Sequence, residues 1–87
     1  MKVDVKVWEL VERDFLLVFS ENCKVTQLGE DILMGRFMVA LKVDTEDGLE
    51  YGFTFSYDLL TEDTMSIVST KDGLRIIKSI KNGKLEE

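Results

Sequence analysis

The sequence lacks histidine and proline, and it contains a single cysteine among its 87 residues. Without histidine the chain has no histidine base for catalysis and no histidine ligand for a metal ion. Cys23 has no second cysteine for an internal disulfide bond, which is typical of a reducing compartment. Asn and Gln are scarce while charged residues are plentiful, which is typical of thermophilic proteins, although the lack of proline is not.

Long hydrophobic runs are also missing. No segment approaches the roughly 18–20 apolar residues that cross a bilayer, and the first residues alternate instead of forming an apolar signal segment. This length is typical of one domain, residues 1–87, and 45% hydrophobic residues is ordinary for a globular protein. The sequence therefore predicts a single cytoplasmic domain that does not bind membranes.

Motifs for catalysis or cofactor binding are missing as well. The glycines form neither a phosphate-binding loop nor a dinucleotide-binding fingerprint. The acidic pairs are adjacent in sequence, and adjacent side chains on a strand point to opposite faces, so they do not make acid–base dyads. In the acidic run from Asp44 to Asp47, Gly48 comes one position too early for a calcium-binding loop. We therefore expect no enzyme activity, no cofactor and no metal site.

Charge is unevenly distributed along the chain. The net charge of −6 opposes non-specific attraction to nucleic acid or to an anionic membrane. Residues 44–63 include seven carboxylates and no basic residue, whereas residues 71–84 are mainly basic. Two alternative functions follow: an acidic inhibitor that imitates nucleic acid through the first stretch, and a β-barrel that binds single-stranded nucleic acid through the second. The basic residues of the second stretch are Lys71, Arg75, Lys78, Lys81 and Lys84.

Residues 33–59 have the clearest structural pattern, that of a β-hairpin. Apolar side chains occupy the odd positions of both arms, and a period of two is typical of one face of a strand. The predicted turn, residues 45–49, suits a three-residue loop closed by a left-handed Gly48. This loop length brings the apolar faces of the two arms together. It predicts the pairs Val43–Tyr51, Leu41–Phe53, Val39–Phe55, Phe37–Tyr57 and Arg36–Asp58.

The segments before this hairpin have the patterns of further strands. Valine recurs at odd positions within residues 3–11, which predicts one face of a first strand. The short apolar run 15–19 is typical of a strand that is buried on both faces. Residues 23–28 suggest a weaker strand, and the polar residues 29–31 predict a break before the hairpin.

The last third of the chain has two interpretations. An Asp-Gly pair at 72–73 is a strong hairpin signal, and it would pair Met65 with Ile80 and place Ile67 on the same face. The alternative is a helix over residues 74–82 that ends in an Asn-Gly cap. The isoleucines favour the strand. The predicted fold is therefore mainly β, a small antiparallel barrel or sandwich of six to seven short strands, with an α+β fold containing that C-terminal helix as the alternative.

A second apolar face accompanies the main one. Met34 and Met38 point away from the aromatic face of the hairpin, and Trp8 and Leu10 point away from the valine face. Either the sheet curls so that both faces are internal, or the second face is an exposed patch that binds a partner. Because Trp and Met are typical interface anchors, we predict a non-catalytic protein-interaction module that self-associates through these four residues.

Overall fold

The computed structural model describes residues 5–86. Helix α1 (Val5–Leu16) precedes six strands, each of which pairs antiparallel with the next one along the chain. Among these residues the first and last strands do not pair, so the sheet is open and is not closed into a barrel. The protein is therefore mainly β, as predicted. The strands are β1 (Lys24–Leu33), β2 (Arg36–Asp44), β3 (Glu50–Asp58), β4 (Thr64–Thr70), β5 (Ile76–Lys81) and β6 (Lys84–Glu86).

The β2–β3 hairpin has the predicted register at every pair from Arg36–Asp58 to Val43–Tyr51. The amide of Thr45 donates to the carbonyl of Leu49 at 2.9 Å, which closes the three-residue loop. Gly48 has a φ of +86°, the left-handed conformation that this loop requires. Period and turn chemistry agree here, and this agreement explains why local sequence was sufficient.

The first strand predicted within residues 3–11 is wrong, because residues 5–16 form α1, and residue 3 lies outside the described range. Val7, Val11 and Asp14 are buried, and their spacing of four and three positions is a helical stripe. Val5 would share the valine face of a strand, but it is 72% exposed. The strand propensity of valine was overridden by packing of this stripe against the sheet.

The apolar run 15–19 does not form a buried strand either. It ends α1 and turns the chain back over the sheet, with the amide of Phe19 donating to the carbonyl of Phe15 at 2.9 Å. The ring of Phe15 lies edge-on to Phe53, with 5.7 Å between ring centroids. Phe19 contacts Tyr51 and Phe53. The run is apolar because it packs between helix and sheet, not because a strand lies between two layers.

The break predicted at residues 29–31 is also wrong, because β1 continues through it to Leu33. A bulge at Leu28 shifts the pairing with β2 between Gln27 and Gly29. Polar residues are tolerated there because β1 is an edge strand with mostly exposed side chains. The hairpin therefore begins at Arg36 rather than at residue 33.

The C-terminal segment is the strand β5, not the alternative helix over 74–82. The predicted pair Ser69–Ile76 is present, but beyond it an extra residue of β5, Ile77, shifts the register by one and pairs Ser66 with Ile80. A shift of one residue exchanges the two faces of a strand. Ile80 therefore faces the core beside Ser66, whose pairing with Phe55 places it on that side, while Met65 points to the opposite side.

Helix α1 packs on one face of the sheet, which we call the covered face. Each large apolar side chain buried there contributes about 1.5–3 kcal/mol to stability. Asp14 is fully buried in the same layer, and its Oδ2 accepts a 2.7 Å hydrogen bond from Ser66 Oγ. No buried polar side-chain atom among residues 5–86 lacks a partner. The buried sheet residues of this core are Phe37, Val39, Leu41, Val43, Phe53, Phe55, Val68 and Ile80.

Candidate interaction surface on the open face of the sheet

The other side of the sheet, which we call the open face, carries no other element of residues 5–86. Even positions of β2 and β3 and odd positions of β4 project from it, and these positions are the less buried ones of each strand. Met38 is 42% exposed and Met65 is 38% exposed, whereas their neighbours on the covered face are buried. The described structure therefore has one completed core and one uncovered sheet face.

Apolar side chains lie on two strands of the open face and flank a strand of small residues. The pairing places Met38, Ser56 and Met65 in one row across β2, β3 and β4. The next row contains Ala40, Thr54 and Ile67. In both rows β3 is therefore lower than β4, while β2 rises above β3 only at Met38, because Ala40 is smaller than Thr54.

A trough follows β3 as a consequence, and we call its residues Gly52, Thr54 and Ser56 the β3 trough. Shallow depressions of about 270, 220 and 220 Å³ lie along it, and a fourth of about 310 Å³ extends from Thr54 over Ala40 and Gly29. Met65 and Ile67 stand beside it, and we call them the β4 ridge. A Cβ at Gly52 would lie 2.7 Å from Ser69 Oγ, so a larger residue there requires the Ser69 hydroxyl to move away from its hydrogen bond with the Thr70 carbonyl.

The open face is electrically balanced. Strand pairing gives it five basic and five acidic side chains, which leaves the net charge of −6 to the rest of the sequence. Two of these acids have close basic partners: Lys71 Nζ, which follows β4 and adds one positive charge at the rim, lies 3.0 Å from Glu50 Oε2, and Arg36 Nε lies 3.9 Å from Asp58 Oδ2. The ten strand residues are Lys24, Arg36, Lys42, Lys81, Lys84, Asp31, Asp44, Glu50, Asp58 and Glu86.

The ion pair at the end of the trough keeps both of its members charged. The hydrogen bond from Lys71 lowers the pKa of Glu50, and its positive charge acts in the same direction. The same hydrogen bond raises the pKa of Lys71. Lys42 also lies 3.7 Å from Glu50. This rim therefore presents a salt-bridged cluster, not an isolated charge of either sign.

The four predicted anchors do not lie together. Trp8 packs edge-on against Phe37 at 5.7 Å between ring centroids, and Leu10 also packs against the core, so both belong to the covered side. Met34 is 93% exposed in the turn between β1 and β2, and Met38 alone of the four lies within the open face. The β4 ridge was missed because its face is set by the pairing of β4 with β3, and no local sequence pattern predicted that register.

The basic stretch is divided between several surfaces. Lys71 is paired with Glu50, and Lys81 and Lys84 lie opposite each other at the open face. Lys78 pairs with Val68 and therefore lies on the covered side of β5, while Arg75 lies in the turn before that strand.

The acidic stretch is divided in the same way. Asp44, Glu50 and Asp58 lie beside basic partners of the open face. The remaining acids lie at opposite ends of β3, with residues 46–47 in the loop before it and residues 62–63 in the loop after it. Neither charged stretch therefore forms one continuous surface of a single sign.

Within residues 5–86 no group of acidic or cysteine side chains converges on a possible metal site. The same range contains no helix that is long and apolar enough to span a membrane. Ser66, whose hydroxyl could otherwise serve as a nucleophile, is fully buried and donates to Asp14. Comparisons with models of protein families, with curated proteins and with solved structures gave no match to this chain.

Proposed function

We propose that this chain is a small, non-catalytic protein-interaction module that self-associates through the open face, with a second copy of the chain as its partner. The observation that carries the proposal is the contrast between the two faces of the sheet. The covered face has a complete core, whereas Met38, Met65 and Ile67 remain on a face without a covering element among residues 5–86. Apolar side chains at the centre of a face with charged residues around them are the usual composition of a protein–protein interface.

Charge favours a second copy as the partner. Two chains with a net charge of −6 repel each other over most orientations. The open face is the exception because its strand charges sum to zero, so two such faces can approach without net repulsion. A strongly basic protein or a nucleic acid would instead favour a surface of strong opposite charge.

Area is also sufficient for a specific contact. Five strands spaced about 4.8 Å apart and about eight residues long present roughly 600 Å². Two copies would bury roughly 1,200 Å² together, which is the lower end of stable, specific interfaces.

The test is the absolute mass of the protein by light scattering behind a sizing column, at two concentrations. We expect a dimer for the wild type and at least a tenfold weaker dimer for Met38→Lys, because the new charge would be buried without a partner. Val5→Lys is the matched control, since it adds the same charge at an exposed apolar residue of α1. A monomer at the higher concentration would contradict the proposal.

A further inference from the structure

We propose that two copies dock with the β4 ridge of each in the β3 trough of the other, about a two-fold axis that runs along the strands between β3 and β4. This inference rests on the proposed self-association and specifies how the two open faces meet. Met65 and Ile67 of one copy would contact Ser56 and Thr54 of the other. The assembly would be a sandwich of two sheets with the α1 helices outside.

Shape supports this arrangement. Large side chains project from β4 and small ones from β3, which are adjacent strands in the sheet. A two-fold axis between these strands places each β4 opposite the β3 of the other copy, so every ridge meets a trough. Side chains of stacked sheets interdigitate in this way across a layer about 10 Å thick.

The alternative two-fold axis, perpendicular to the strands, fits less well. An axis that runs across β3 and β4 would place each strand opposite the same strand of the other copy. The small residues Gly52 and Thr54 would then face small residues, and Ile67 would face Ile67 or Met65. Trough against trough leaves empty space and ridge against ridge causes overlap, and both are unfavourable because protein interfaces pack as densely as interiors.

Edge-to-edge pairing of sheets is opposed by the structure of both edges. On β1, the bulge at Leu28 interrupts the regular ladder. Hydrogen-bonded and non-hydrogen-bonded pairs alternate along an antiparallel ladder, and Leu33–Arg36 is the hydrogen-bonded pair that closes the turn. Ile32–Phe37 is therefore a non-hydrogen-bonded pair, and the amide of Ile32 points away from β2. That amide already donates to Asp31 Oδ1 at 2.8 Å. At the other edge, β6 has only three residues.

Complementary size changes test the docking directly. Thr54→Phe fills the trough, and Ile67→Ala shortens the ridge, both on the open face. Thr54→Phe by itself should weaken the dimer at least tenfold, because each of the two new rings would overlap Ile67 of the other copy. Ile67→Ala by itself should weaken the dimer less, because it leaves empty space instead of overlap. When the two variants are mixed, they should form a heterodimer within about threefold of the wild-type affinity. In that heterodimer the new ring at position 54 lies against the new alanine at position 67, and the second contact is the native one between Thr54 and Ile67. Native mass spectrometry distinguishes the heterodimer from both homodimers.

Val5→Phe is the control, since it adds the same ring at an exposed position of α1, and circular dichroism verifies folding. If Thr54→Phe does not fold, Ser56→Phe with Met65→Ala tests the neighbouring row. A wild-type dimer that tolerates Thr54→Phe overturns this docking and leaves self-association intact. Loss of the Thr54→Phe dimer without rescue in the mixture overturns the pairing of trough and ridge. A monomeric wild type overturns the proposed function itself.

Discussion

Ser66 Oγ donates a 2.7 Å hydrogen bond to Asp14 Oδ2 and thereby joins helix α1 to strand β4 across 52 positions of sequence. The other carboxylate oxygen accepts from Arg13 Nε at 3.0 Å, and Arg13 Nη2 donates to Thr64 Oγ1 at 2.9 Å. A buried carboxylate is stable only when its hydrogen bonds are satisfied. The network therefore fixes where the helix lies on the sheet, which apolar contacts alone do not determine.

Asp14→Ala should lower the free energy of unfolding by about 2–4 kcal/mol, because Ser66 would remain buried without an acceptor and Arg13 would lose its charged partner. Urea denaturation followed by circular dichroism measures the change. Glu12→Ala, at an exposed position of the same helix, should stay within about 0.5 kcal/mol of the wild type. Equal effects of the two substitutions would show that the network does not stabilise the helix position.

Gly83→Ala should cost more than Gly73→Ala, although both glycines have a positive φ, of 81° and 77° respectively. Each alanine pays about 1–2 kcal/mol for the left-handed conformation. A Cβ at Gly83 would also lie 3.0 Å from Arg13 Cζ, whereas nothing lies within 4 Å at Gly73. Thermal unfolding of the two variants isolates this contact, and identical losses of stability would contradict its importance.

Trp8→Lys should destabilise the monomer, because Trp8 packs edge-on against Phe37 beneath α1. Loss of the ring and partial burial of a charge should cost about 2–4 kcal/mol. Met38→Lys should cost less than about 1 kcal/mol, since the open face of the monomer is in contact with solvent. Chemical denaturation at a concentration that keeps both variants monomeric compares them. The opposite order of stability would place Trp8 outside the core.

The stability that Asp58 provides should depend on pH in the acidic range. Its Oδ1 accepts hydrogen bonds from the amides of Leu60 at 2.9 Å and Thr61 at 3.0 Å. The amide hydrogen bonds, that of Thr61 first, lower the pKa of Asp58 below its usual 3.8, so the folded state binds a proton less readily than the unfolded chain. The stabilisation by Asp58 is therefore fully present above about pH 3.8, and it is lost as the pH falls below that value through the lowered pKa of the folded state.

Asp58→Asn removes this titration. Its deficit in unfolding free energy relative to the wild type should be largest near neutral pH and should shrink below about pH 4. Urea denaturation of both proteins over a series of pH values measures the deficit. A deficit that does not change with pH would contradict the role assigned to these hydrogen bonds.

Features set by interactions between residues close in sequence were predictable, whereas features set by interactions between distant residues were not. The β2–β3 register was predictable because period-two alternation and the turn ending in Gly48 are local signals that agree. Met38 was predicted for the second face on the same basis. Helix α1 was missed because valine favours strands when it is considered alone, and only packing of Val7 and Val11 against the sheet stabilises the helix.

The sequence by itself therefore determined the central hairpin and its register. Tertiary structure decided which face is covered, and the pairing of β4 with β3 decided that Met65 and Ile67 belong to the open face. The physical reason is the geometry of a strand, in which a register shift of one residue exchanges the two faces, so the pairing partner decides which side chains are buried. The observed register of β4 is stabilised by partners such as Asp14 for Ser66, which lie far apart in the sequence.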